Sequence, residues 1–172
     1  MARQLITMSD GGFDAWIDEI DTAADMMPQI MLTSLEARQE VIESAIRTEW
    51  MALGGTGGGF VASSIGQSAK YSKENPLDVV GTVGVYDMDS VKAAFGKTEK
   101  DLNAAQIAYW TEFGTSRLKM GGRKQKGVEY SDEMLITVHP KPFISRAVYN
   151  SYGEAEKAFR NMFNQEYERL VK

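Results

Sequence analysis

Residues 30–53 contain neither glycine nor proline, and their apolar side chains recur at helical spacing. Ile30, Met31 and Leu35 are followed by Val41 and Ile42, then by Ala45, Ile46 and Trp50. Gaps of three and four put such residues on one face of an α-helix. These residues alone make a helix roughly 36 Å long, at about 1.5 Å per residue. That is enough to span a small domain. Met27 extends the pattern backwards, and Pro28 fits a first helical turn, where its missing N–H is no loss. Gly54 is placed to stop the helix. A separate amphipathic helix is expected over 13–23, FDAWIDEIDTA, with Phe13, Ile17 and Ile20 on one face, Trp16 beside them and Asp10 as cap.

A second long helix closes the chain. Ile144, Val148, Tyr152, Ala155, Phe159, Met162, Phe163, Tyr167 and Leu170 recur at the same spacing. Pro142 opens this helix, and the residue before it, Lys141, is held extended. Between the two helices, GGTGGG (54–59) and the polar residues up to Pro76 read as a mobile loop, with a weak strand at 68–73. DVVGTVGVY (78–86) is strand sequence. Val79, Val83 and Val85 fall on one side, and Val80, Thr82 and Tyr86 on the other. Gly81 and Gly84 mark a bulge or a close approach of backbone. Residues 90–95 make one helical turn and 102–112 a short helix ended by Gly114. Residues 115–131 read as a loop or hairpin with a mobile tip, and 133–138 as a strand. The order predicts one α+β domain over 1–172: a small antiparallel or mixed sheet packed against two long helices, with a short third helix.

Composition narrows the chemistry. There is no cysteine and one histidine, His139. Disulfides, thiolate catalysis and a histidine metal cluster are excluded. No apolar run is long enough to cross a bilayer, and MARQLITMSDGG is a poor signal peptide. The chain carries a formal charge of −5, unevenly spread. Residues 1–50 hold ten acids against three bases, whereas 111–150 hold seven bases against four acids. Such asymmetry is either plain solvation or a pair of complementary surfaces.

The motifs that would signal catalysis fall short. GGTGGG lacks the Lys-Ser/Thr ending of a phosphate loop and follows a helix rather than a strand. His139 has no acid beside it in sequence and reads as a turn residue next to Pro140. The acid pairs Asp18–Glu19 and Glu129–Asp132 read as solvated surface. No catalytic residue, cofactor or metal ligand is expected, and no enzyme. The basic residues Arg117, Lys119, Arg123, Lys124 and Lys126 form a local cluster that can touch phosphate, with Tyr130 and Trp110 as stacking rings. Three readings stay open for it: a solvated loop, a protein interface for acidic groups, or nucleic-acid contact. The overall negative charge opposes the last.

YWTEFGT (109–115) and HPKPFISRAV (139–148), taken together, resemble the tail-completion, or neck, proteins of long-tailed bacteriophages. In that family an aromatic helix ends in a Glu-aromatic-Gly-Thr element, here Glu112, Phe113, Gly114 and Thr115. A variable loop and a strand follow, then a Pro-Phe element opening the last helix, here Pro142, Phe143, Arg146 and Ala147. The family often has proline before that alanine, where this chain has Arg146, and the glycine-rich 54–66 stretch is long. The likeness covers about residues 10–165. It implies a non-enzymatic virion protein at the head–tail junction, present in host cytoplasm during assembly. It further implies a hexameric or dodecameric ring at the head-proximal end of the tail. Implied partners are further copies of itself, the tail-tube protein and the head connector or stopper, with no membrane. DNA passing through the ring is compatible with this role, while specific binding is not expected. The alternative reading is an accessory protein that binds nucleic acid through the 117–126 loop.

Local roles follow from the residues. Gly114 ends its helix with a positive φ. Phe113 and Phe143 are expected in the core. Tyr109 and Trp110 belong either to the core or to a contact surface. Glu112 is expected to accept backbone or arginine hydrogen bonds that fix the loop after it, with Arg146 as the candidate arginine.

Overall fold

The computed structural model describes residues 10–54, 58–75, 77–86, 88–97, 103–119 and 135–171. Helix α1 runs from Asp10–Ala52, and α5 from Phe143–Val171. Between them lie α2 (Gly58–Ser63), strands β1 (Ile65–Tyr71) and β2 (Val79–Val85), α3 (Asp89–Ala94), α4 (Ala104–Phe113), and strands β3 (Thr115–Lys119) and β4 (Leu135–Val138). This is the α+β arrangement expected. The strands form two separate two-stranded antiparallel ladders, β1–β2 and β3–β4. The long helices pack together, and α1 also carries the β1–β2 hairpin on another face.

Two expectations for α1 are corrected. The helix does not break between 13–23 and 26–53, and Pro28 lies inside it rather than in its first turn. The tertiary cover given by α5 and the hairpin outweighs the local cost of proline, about 3 kcal/mol in a helix interior.

The region expected to be a mobile loop contains helix α2, Gly58–Ser63, and Phe60 and Val61 are buried there. They join Ile46 and Trp50 of α1, Ile65 of β1, Ala104 and Ala108 of α4, and Phe143 and Ala147 of α5 in one core. Trp50 meets the edge of Phe143 with ring centroids 4.9 Å apart. Phe60 meets Phe95, after α3, in the same manner at 5.7 Å. Two apolar residues next to the glycines therefore decide the local structure, since each has a core to enter.

Beyond the Trp50–Phe143 contact, the α5 side of the α1–α5 seam is lined by small residues. On α5 the buried positions are Phe143, Ala147, Ser151 and Ala155; the first three fall one residue before Ile144, Val148 and Tyr152 of the expected stripe, and Ala155 is on it. Val148 and Tyr152, on the expected stripe, are exposed. Small side chains let two helix backbones approach, and larger ones flank the contact. Buried serines in these helices bond back to their own helix: Ser34 Oγ donates to the Ile30 carbonyl at 2.6 Å and Ser151 Oγ to the Ala147 carbonyl at 2.8 Å. Across the seam, Arg38 pairs with Glu156 at 3.0 Å and Arg146 with Glu49 at 3.1 Å.

Gly81 marks the close backbone approach that its sequence allowed. A Cβ there would collide with the Gln39 amide, and would lie 2.9 Å from Leu35 Cδ2. Gln39 Nε2 donates to the Ser68 carbonyl at 3.3 Å, and Arg47 Nη2 to that of Ile65 at 2.9 Å. Both bonds tie α1 to β1. Gly84 has open space around it.

Candidate docking surface at the α4–α5 junction

Helix α4 starts at Asn103, whose Oδ1 accepts the Gln106 amide at 2.7 Å, a standard N-cap bond. Ala104, Ala108 and Glu112 are its buried positions, at i, i+4 and i+8. The first two enter the core. Glu112 is only 5% exposed, and its destination is the start of α5.

Helix α5 lacks a cap of its own. The residue preceding it is Pro142, which has no side-chain oxygen to accept the free amides of the first turn. Glu112 supplies the acceptor. Its Oε2 receives the Ile144 amide at 2.8 Å, and its Oε1 receives the Ser145 amide at 3.0 Å and the Ser145 hydroxyl at 2.5 Å. A carboxylate here also opposes the positive end of the helix dipole. The Lys141 amide donates to the Thr111 carbonyl at 2.7 Å, a second bond across the same junction.

Gly114 turns the chain between these contacts. Its φ is 75° and its ψ 173°, a region that glycine alone occupies readily. A Cβ would lie 2.7 Å from the Val138 carbonyl oxygen and 2.9 Å from Pro140 Cδ. Its amide donates to the Trp110 carbonyl at 2.8 Å. Thr115 then pairs with Val138 in the β3–β4 ladder, which shifts register before Leu118 and Ile136. The two motifs that carry the resemblance thus touch: the Glu-aromatic-Gly-Thr element grips the strand end and the Pro-Phe element.

Several candidate residues stand elsewhere than expected. Phe113 is not core; it is 66% exposed, beside Tyr109 at 60%. Their rings lie 4.9 Å apart, one helical turn from each other. The buried slot at the end of α4 belongs to Glu112, so the neighbouring position faces out. Phe143 is fully buried as expected. Trp110 is half-buried. Glu112 is not an available interface residue, because the first turn of α5 encloses it. Arg146 is not its partner, since it pairs with Glu49 on α1. Arg117 and Lys119 belong to the β3 backbone, and Arg123, Lys124 and Lys126 lie outside the described residues. His139 is exposed.

One feature escaped sequence reasoning. An open groove of about 820 Å³ runs between α1 and α5 over a floor that includes Ala37, Val41, Ala45, Ala147 and Ala158. Its signal was the alanine spacing on both helices, which pattern reading takes for helix propensity alone.

Among the described residues no group of three or more acidic or histidine side chains is arranged to hold a metal ion, and no helix is long and apolar enough to cross a membrane. The fold and the junction define an α+β protein whose last helix is capped from a distance by a glutamate of α4. Compared with protein families, curated proteins and solved structures, the chain matches none.

Proposed function

We propose that this chain is a non-enzymatic structural protein of a phage virion, forming a ring at the head-proximal end of the tail. There it ends the tail tube or joins it to the connector. The carrying observation is the exposed Tyr109–Phe113 pair on a helix whose last turn Glu112 locks to α5. Exposed aromatic rings on a rigid support are what protein interfaces favour: large contact area at little conformational cost. The reading draws its specific role from the resemblance of residues 109–115 and 139–148 to tail-completion proteins. Their physical contact at the junction supports reading the two short elements as one unit.

The test is electron microscopy of particles assembled without this protein. Overlong tails support termination, and separate heads and tails support joining. Normal infectious particles would overturn the proposal.

A further inference from the structure

We infer that the groove between α1 and α5 seats a cationic amphipathic helix of a partner protein. The inference goes beyond the virion reading and does not depend on it.

The two long helices lie antiparallel. Arg146, near the start of α5, pairs with Glu49 near the end of α1, and Arg38, further back on α1, pairs with Glu156 further along α5. Ala37, Val41, Ala45 and Ala158 form the apolar floor of the groove, and their own chain leaves them only half-buried. A second hollow of about 450 Å³ continues the groove toward Gln67, Ser68 and Ala69 of β1, sharing Ala37, Glu40 and Met162 with it. Together the two follow α1 from Thr33 to Glu49, about 24 Å at 1.5 Å per residue. That length holds a helix of about four turns. Small side chains on the floor let the axis of a third helix come close. An amphipathic helix lays its apolar face into such a channel.

Charge selects the helix. Glu40, Glu49 and Glu154 line the groove, Glu36 joins Glu40 in its extension, and no lysine, arginine or histidine lines either hollow. Elsewhere on these helices Glu43, Glu156 and Glu166 each pair with an arginine, as Glu49 does. Glu36, Glu40 and Glu154 are exposed and have no ion pair among the described residues. They stand on both walls, Glu36 and Glu40 on α1 and Glu154 on α5. Unpaired carboxylates along one channel sum to a negative potential. That potential repels nucleic acid and draws a helix flanked by lysine or arginine.

A second copy of this chain is the poorer occupant. On α1, Arg38 and Arg47 are already paired. On α5, Lys157 and Arg160 stand among Glu154 and Glu156, and the only charge on α4 is Glu112. No described helix presents cations without carboxylates beside them, so the groove finds its complement in another protein.

The test titrates the full-length chain with a labelled synthetic helix, read by fluorescence anisotropy. The peptide has sixteen residues, with alanine and leucine along one face and lysine on both flanks. A second peptide carries glutamate for each lysine, and a third has the first composition in scrambled order. The first peptide is expected to bind, more weakly as salt rises, and the other two at least tenfold more weakly. Glu40→Gln with Glu154→Gln lowers affinity about tenfold or more, and so does Ala37→Phe, which fills the floor where the hollows meet. Glu74→Gln with Glu168→Gln removes the same charge outside both hollows and leaves affinity within about twofold. Circular dichroism checks each variant for native helicity. Failure of the lysine peptide to bind overturns the inference, as does equal binding of the scrambled one. Affinity that survives loss of Glu40 and Glu154, or that falls equally without Glu74 and Glu168, overturns it too. Sedimentation of the chain alone completes the test: self-association abolished by the Glu40–Glu154 variant would put a second copy in the groove and remove the partner helix.

Discussion

The Glu112 carboxylate and the Ile144 amide, 32 residues apart in sequence, are joined by a 2.8 Å hydrogen bond. Because Ser145 bonds the same carboxylate twice, removal strands several donors at once. Glu112→Ala is expected to lower stability by about 2–3 kcal/mol, the range for buried hydrogen bonds to a charged acceptor. Glu112→Gln keeps one acceptor oxygen and should lose less. Urea denaturation checks both, as a shift in midpoint at constant slope.

Gly114 and Gly54 both have positive φ, at 75° and 63°. Only Gly114 has backbone packed where a Cβ would go. Gly114→Ala should therefore cost about 3 kcal/mol or more. Gly54→Ala pays only the left-handed backbone term, about 1–2 kcal/mol. Thermal unfolding of the two variants side by side tests the difference.

Gly81→Ala and Gly84→Ala form a second pair, three residues apart on β2. The first drives a methyl into Gln39 and Leu35 and should destabilise by about 1–3 kcal/mol. The second meets open space and should stay within about 0.5 kcal/mol of the parent. Equal losses at both sites would mean that α1 does not rest on the hairpin at Gly81.

Tyr109→Ser with Phe113→Ser removes the exposed ring pair without touching the core. Stability should change little, by about 0.5 kcal/mol or less per site. Complementation of a deletion should fail by at least tenfold in infectious titre, if these rings make the virion contact. Full complementation would remove the aromatic pair from the proposed interface.

Much of the fold was legible because period and punctuation agree. Gly54, Gly114 and Pro142 each bound an element as their backbone preferences demand. The misreadings share one cause, namely that burial is decided by partners a local pattern does not contain. Pro28 looked like a helix start because its tertiary cover was unseen. Phe60 and Val61 looked like linker because the core they fill comes from four other elements. Phe113 looked like core by hydrophobicity alone, yet the slot beside it was needed for Glu112. That carboxylate was read as an acceptor from backbone or arginine, fixing the loop after it; it accepts amides of α5 instead, a target that follows only from the missing cap at Pro142. On α5 the bulky stripe, which did include Ala155, drew attention away from Ala147 and Ser151, whose small size lets the helices come together.

The buried hydroxyls of Ser34 and Ser151 are satisfied by the turn behind them, so neither reads the opposite helix. Lengthwise alignment of the pair then falls to the Trp50–Phe143 ring contact at one end and to two pins, Arg38 with Glu156 and Arg146 with Glu49. With both pins drawn, register would rest on that ring pair, and the alanine and serine stretch beyond it would offer little resistance to shear.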